Sequence, residues 1–190
     1  MDTLIKAALT FALSISSVVN AAEYNTLRVE QSRVAFAYKQ MGVPMEGNFK
    51  RFSGQLTFDP EKPTLSQAVL SIDLASINTG SADGDEEVAG KLWFNTPQFP
   101  AARFVSTSVK ALGNNRFMVT GKMSIKGRTR VVSAPAVFRP QGASAEFVGA
   151  FVLKRADYGI GEGMWTDFGT VANEVQINFR LVAMANSKKK

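Results

Sequence analysis

The chain contains neither cysteine nor histidine among its 190 residues. Without cysteine it can form no disulfide, so its core must hold it together unaided. No thiol is available for lipid attachment either. Without histidine it lacks imidazole general bases, Ser–His and Cys–His nucleophile pairs, and the usual zinc ligands. Carboxylates are the chemistry that remains. Asp157, Glu162 and Asp167 lie close together in sequence, but a glycosidase needs two carboxyls facing each other across a sugar cleft. The neighbouring Gly159, Gly161 and Gly163 read as a loop or bulge, with Trp165 beyond it as a cap on the fold. Their spacing does not fit a dinucleotide-binding turn. The reading is a protein that is not an enzyme, with no catalytic cofactor and no metal.

Charge of one sign is also scarce. The net charge is +6, and Lys188, Lys189 and Lys190 supply half of it. So small an excess argues against a nucleic-acid partner. A long hydrophobic run occurs only at the start, from Ala7 to Val19 after Lys6, with Val19-Asn20-Ala21 following. This pattern reads as a secretory signal peptide spanning 1–21 and cleaved after Ala21. It is too short and too serine-rich for a membrane span. The expectation is an exported, periplasmic protein: one domain over 22–186, then a basic tail over 187–190.

What the sequence holds in quantity is alternation. Val34, Phe36 and Tyr38 share one phase. So do Leu56 and Phe58; Ala68, Leu70, Ile72 and Leu74; Phe117, Val119, Met123 and Ile125; Phe147, Phe151 and Leu153; and Val175, Ile177, Phe179 and Leu181. Each run predicts a strand with one wet and one dry face. Turn signals at Asp59-Pro60, Gly113-Asn114-Asn115, Lys126-Gly127 and Pro140-Gln141-Gly142 separate them. Seven to ten such strands predict an all-β antiparallel barrel or sandwich. Alternation identifies the dry face but does not say whether side chains or empty space lie behind it.

One segment departs from the pattern. SADGDEEVAGKLWF offers Ser81 or Asp83 as an N-cap and acidic residues in the first turn, predicting one short helix in the Asp83 to Leu92 region. It leads into KLWFNTPQFPAARF, where Trp93, Phe94, Phe99 and Phe104 accompany Pro97 and Pro100. Loops are normally polar, so a connection this apolar is expected to pack under the helix and over one end of the barrel. Two cationic clusters have less to say. Lys50 and Arg51, between Phe49 and Phe52, suit either a ligand mouth or water. Lys126, Arg128 and Arg130 suit a sheet edge guarded against strand pairing.

These residues together resemble a known family. MGVPMEGNFKRFSGQLTFDP, from Met41, is similar to the first hairpin of YceI-like proteins, the polyisoprenoid-binding, lipocalin-like family of exported bacterial proteins. WFNTPQFPAARFVSTSV resembles that family's aromatic stretch, GKMSIKGRTRVV its later hairpin and VQINFRLVA its final strand. The resemblance implies an extended antiparallel lipocalin-like β-barrel with a long apolar tunnel. It also implies a bound isoprenoid lipid, a polyprenyl quinone or polyprenyl phosphate, to be carried or sequestered. The implied tunnel lining is Phe36, Tyr38, Gln40, Phe49, Phe52, Phe58, Leu70, Ile72, Trp93, Phe94, Phe104, Met123, Phe151, Trp165 and Phe179. Met41, Met45 and Met123 suit a wall that adapts to a flexible guest. Many family members carry a His where Gln40 stands and an Arg-Asp-x-His-Leu run where this chain reads GDEEVAGKLW, which removes polar groups that could face a head group. Transient contact with a membrane surface fits such a cargo, and exposed sheet edges leave room for a homodimer. The competing reading is a structural or interaction module of the cell envelope with a solid β core.

Overall fold

A computed structural model describes residues 23–186. The expected signal peptide and Lys188–Lys190 lie outside the described residues. Eleven strands form one antiparallel sheet: β1 (Tyr24–Leu27), β2 (Arg33–Gln40), β3 (Val43–Phe49), β4 (Phe52–Thr57), β5 (Gln67–Asp73), β6 (Ile77–Asn78), β7 (Ala101–Gly113), β8 (Arg116–Ile125), β9 (Arg128–Gln141), β10 (Ser144–Lys154) and β11 (Glu174–Ala185). The spatial order is β4-β5-β7-β8-β9-β10-β11-β2-β3-β6, with β1 paired to β11. Tyr24 in β1 also exchanges backbone hydrogen bonds of 2.9 Å with Phe58, just past β4. β1 therefore ties β11 to the β4 end of the order, and the sheet curls into a lipocalin-like barrel.

The turns follow from local chemistry. Met41-Gly42, Asn114-Asn115 and Lys126-Gly127 each place two consecutive residues at positive φ. That is the two-residue hairpin geometry whose twist matches the flanking strands. β9 carries the weakest strand signal in the sequence. Its Ser133-Ala134-Pro135-Ala136 stretch has small side chains and a proline, so the alternation is faint. Pro135 pairs with Met118 of β8, while pairing to β10 begins only at Ala136. The missing N–H thus falls where β9 has a free edge. Arg128 and Arg130 lie on that free stretch, as a guarded edge requires.

The helix, α1, spans Ala82–Ala89. Ser81 is its N-cap, its side chain accepting from the Gly84 N–H at 3.1 Å. Gly90 ends it, so Leu92, expected within the helix, lies beyond it and is exposed.

The interior has two unlike halves. At one end Phe58, Phe117, Phe138, Phe147 and Tyr24 form a solid plug. Phe58 sits 4.9 to 5.0 Å, centroid to centroid, from Phe117, Phe138 and Phe147, and Tyr24 stands edge-on to Phe138 at 5.4 Å. Toward the other end the large rings are turned against the wall. Phe36 lies over Gly47 of the adjacent strand, Phe104 over Gly121 and Phe179 over Gly149; a Cβ at any of these glycines would overlap the ring. Glycine in a strand interior weakens the strand but permits this close approach. Three rings thus spread along the wall, and the lumen between them stays open.

Candidate functional site

A cavity of about 390 Å3 occupies that open half. Its wall comes from the inward phase of nearly every strand. Val34, Phe36 and Tyr38 come from β2, Leu70 and Ile72 from β5, Val119, Met123 and Ile125 from β8, Phe151 and Leu153 from β10, and Val175, Ile177, Phe179 and Leu181 from β11. Trp93 and Phe94, from the connection after α1, close one side together with Trp165. The cavity reaches the surface beside α1, where the exposed Ser81 and Glu87 join its lining.

The expected lining residues Phe36, Tyr38, Gln40, Phe49, Leu70, Ile72, Trp93, Phe94, Phe104, Met123, Phe151, Trp165 and Phe179 all border this cavity. Phe52 and Phe58 do not. The bridge between Phe58 and Tyr24 carries the Phe58 ring into the plug, and Phe52 packs against the same cluster. Met45 also lines the cavity, whereas Met41 sits at a hairpin tip and is 77% exposed. Lys50 and Arg51 face water, and Arg51 pairs with Asp73 at 2.8 Å. Lys126 departs from its expected wet face: its ammonium donates to the carbonyls of Gly159 (2.7 Å) and Lys91 (3.1 Å) and to Glu162 (3.0 Å), clamping the connection after α1 onto the glycine-rich loop. The three clustered carboxylates have no shared site. Glu162 is held by Lys126, Asp167 accepts from the Gly169 N–H at 2.8 Å, and Asp157 is exposed.

The structure adds a polar cluster at the α1 end. Arg155 is only 2% exposed, yet no carboxylate among the described residues pairs with it. Its five N–H groups go to backbone carbonyls: Nε to Ala172, one terminal nitrogen to Ile160 and Gly161, the other to Trp165 and Val171, at 2.6 to 3.2 Å. The guanidinium also lies over the rings of Trp93, at 5.4 Å, and Phe168, at 5.2 Å, contacts that favour a desolvated cation. Burial pulls its pKa below the ordinary arginine value. Arg155 follows Leu153 on the dry phase of β10, a position that sequence reasoning does not single out. Trp93 packs on Trp165 with centroids 5.4 Å apart, and Trp165 Nε1 donates to Glu87 at 2.8 Å. Trp93 itself is 8% exposed, and its own Nε1–H has no partner among the described residues. An orphaned buried donor costs roughly 1–3 kcal/mol. Nearby, burial raises the pKa of the Tyr38 hydroxyl.

Around this end runs a rim of exposed apolar side chains. Met41 and Val43 flank a hairpin whose Met41 N–H donates to Thr170 at 2.8 Å. Phe168 and Met164 come from the loop before β11, and Leu92 lies beside Gly163.

The sequence profile of the YceI-like domain matches residues 25–183. A UPF0312 protein of Azotobacter vinelandii is 31% identical over 183 residues, covering 92% of this chain and 93% of its own length. The crystal structure of Burkholderia cenocepacia BcnA superposes with a TM-score of 0.81 at 42% identity, covering 83% of this chain and 99% of that one. A polyisoprenoid binding domain from Saccharophagus degradans, implicated in plant cell wall breakdown, superposes with a TM-score of 0.65 at 19% identity, covering 88% of this chain and all of that one.

Proposed function

This chain belongs to the YceI-like family, and on that premise we propose that it is an exported, non-catalytic binding protein that carries or sequesters a long-chain isoprenoid lipid, a polyprenyl quinone or polyprenyl phosphate, inside its barrel. One observation carries the reading: a cavity of about 390 Å3 with aliphatic and aromatic walls, plugged at one end and open beside α1. Small-molecule sites span roughly 300–1,000 Å3 and are mostly apolar with a few placed polar groups. The polyisoprenoid binding domain of Saccharophagus degradans shares the fold and supports the same class of guest.

The mechanism is solvation. Each CH2 kept from water contributes about 0.8 kcal/mol, so a prenyl chain does not cross an aqueous compartment alone. Moving it from bilayer to barrel exchanges one apolar medium for another, which leaves a small net free energy. A small net term lets the same site load and unload. The rim of Met41, Val43, Met164, Phe168 and Leu92 is the surface that meets the bilayer during transfer, because it adjoins the cavity's open end. The periplasm is the compartment where such a carrier would act.

The test is to express the full chain, leader included, purify it from the periplasm, extract it with organic solvent and analyse the extract by mass spectrometry. A stoichiometric prenyl lipid is the expected result. Protein that reaches the periplasm and yields no lipid would overturn the reading in favour of a solid-cored envelope module.

A further inference from the structure

Charge is spread unevenly along this chain. Between Val88 and Ala145 stand nine lysines and arginines and not one aspartate or glutamate. Most of that stretch folds into β7, β8 and β9, three neighbours in the sheet. Arg103, Lys110, Arg116 and Lys122 each adjoin an inward residue (Phe104, Val109, Phe117 and Met123 in turn), and all four are exposed on the outer face. Among the described residues none of them pairs with a carboxylate. Asp73, the one carboxylate of the adjoining β5, is taken by Arg51, and Glu146 of β10 by Arg180. Arg103 stands opposite Ser124, two residues from Lys122, and Lys110 stands opposite Met118, two residues from Arg116. The four cations thus form two diagonal pairs, about 20 Å apart along β8. Uncompensated like charge repels itself and works against the compact state, so the face gains from an anionic partner.

The other side chains of the face say which anion. The rings of these strands, Phe104, Phe117 and Phe138, all point inward, so the aromatic anchors of a protein interface are missing. Its hydroxyls are spent on one another: Thr120 bonds Ser133 at 2.8 Å and Ser124 bonds Thr129 at 2.7 Å. What remains to offer is a field of spaced cations, which suits a surface of many phosphate head groups and needs no fitted contact. The face also runs into the open end of the barrel, because Ala102 and Ile125, beside Arg103 and near Lys122, belong to the cluster at that end. We propose that the outer face of β7, β8 and β9 docks on an anionic phospholipid bilayer through Arg103, Lys110, Arg116 and Lys122. This surface is separate from the apolar rim and does not depend on what the cavity holds.

The experiment sediments purified protein with vesicles of phosphatidylglycerol or of phosphatidylcholine. Lys188, Lys189 and Lys190 would add their own attraction, so all measurements use a background in which the three are changed to glutamine. Phosphatidylglycerol should bind more tightly than phosphatidylcholine, and the difference should vanish as salt rises, since exposed charges are screened over about 10 Å at 0.1 M. Arg103→Gln with Lys122→Gln should weaken binding to phosphatidylglycerol about thirtyfold, near fivefold for each cation. Arg33→Gln with Lys62→Gln removes the same charge from exposed positions elsewhere and should weaken it far less. The chain has no cysteine, so one introduced thiol carries a polarity-sensitive dye. On Val131→Cys, opposite Lys122 and 69% exposed, the dye should shift to the blue on phosphatidylglycerol; on Gln176→Cys of β11 it should not. Equal affinity for the two vesicles, equal losses in the two double variants, or a shift at Gln176→Cys would each overturn the proposal. Binding to dextran sulfate without binding to phosphatidylglycerol would assign the face to a soluble polyanion and overturn it too. Bilayer binding by protein that yields no prenyl lipid would sink the carrier reading and leave this surface standing.

Discussion

Trp165 Nε1 donates a 2.8 Å hydrogen bond to Glu87 Oε1, joining residues 78 positions apart across the open end of the barrel. Glu87 belongs to α1 and Trp165 to the glycine-rich loop, and both line the cavity. The bond ties the helix to the loop at the cavity wall, and on the proposed function it lies beside the route by which a guest would enter or leave next to α1.

Glu87→Ala should accordingly alter release more than folding. A partly exposed hydrogen bond contributes about 1 kcal/mol, which corresponds to roughly fivefold in a rate or an equilibrium. The expected outcome is a nearly unchanged melting temperature with about fivefold faster release of a fluorescent prenyl lipid into acceptor vesicles, followed by stopped flow. Glu87→Gln keeps an acceptor and should fall between. Release at the wild-type rate in Glu87→Ala would show that the guest leaves by another route.

Arg155 should behave in the opposite way. Its side chain gathers five carbonyls from the 160–172 segment, which otherwise has little regular structure to satisfy it. Arg155→Met preserves much of the volume and the contact with Trp93 but removes every donor, leaving buried carbonyls unpaired. Each orphaned group carries a desolvation penalty, so a loss on the order of 3 kcal/mol is expected in urea unfolding. Protease cleavage should appear first within the loop. Arg155→Lys, with three donors for five acceptors, should recover part of the loss.

Asp85 gives the fold a pH dependence. Its carboxylate accepts from the Thr79 backbone N–H at 2.6 Å and the Thr79 hydroxyl at 2.8 Å, tying the start of α1 to the chain after β6. The backbone hydrogen bond from Thr79 is the main reason its pKa lies below the ordinary aspartate value; burial opposes it, and the Thr79 hydroxyl and Lys50 add smaller lowering effects. A carboxyl whose folded pKa is depressed contributes stability above its unfolded pKa and loses it as pH falls through the folded value. Asp85→Asn should therefore be less stable than wild type at neutral pH, and the two unfolding curves should converge in acid as pH falls through the depressed folded pKa of Asp85. A gap that persists in acid would assign the effect to shape rather than charge.

Much of this architecture is legible in the sequence because strand alternation is strict. Ala68, Leu70 and Ile72 in β5, Leu74 just past it, and Val175, Ile177, Phe179 and Leu181 in β11 all line the cavity as their phase predicts. The aromatic connection after α1 also does what its composition implies, since Trp93 and Phe94 close the barrel. Alternation cannot say how far a ring reaches once it points inward. Phe58 and Phe179 look equivalent in sequence, yet one fills the plug and the other lies down over Gly149. That difference depends on which glycine the neighbouring strand places opposite, a matter of register rather than pattern. Arg155 stood on a dry phase, but its partners are backbone carbonyls, which carry no sequence signature.

The division of the barrel into plug and cavity predicts that stability and binding can be separated by mutation. Phe138 is buried in the plug, within 6.4 Å of Tyr24, Phe58, Phe117 and Phe147, and does not border the cavity. Phe138→Ala should cost about 3–5 kcal/mol while the protein that remains folded still yields lipid on extraction. Ala134 is its counterpart in the open half, a small buried residue of β9 that lines the cavity. Phenylalanine there has empty volume to enter instead of neighbours to displace, so Ala134→Phe should fold with wild-type or higher stability. It should carry little or no lipid, because the added ring occupies the space of the guest. Unfolding of Ala134→Phe would mean that the open half tolerates overpacking no better than a solid core does. Full lipid recovery from a folded Ala134→Phe would place the guest outside this cavity.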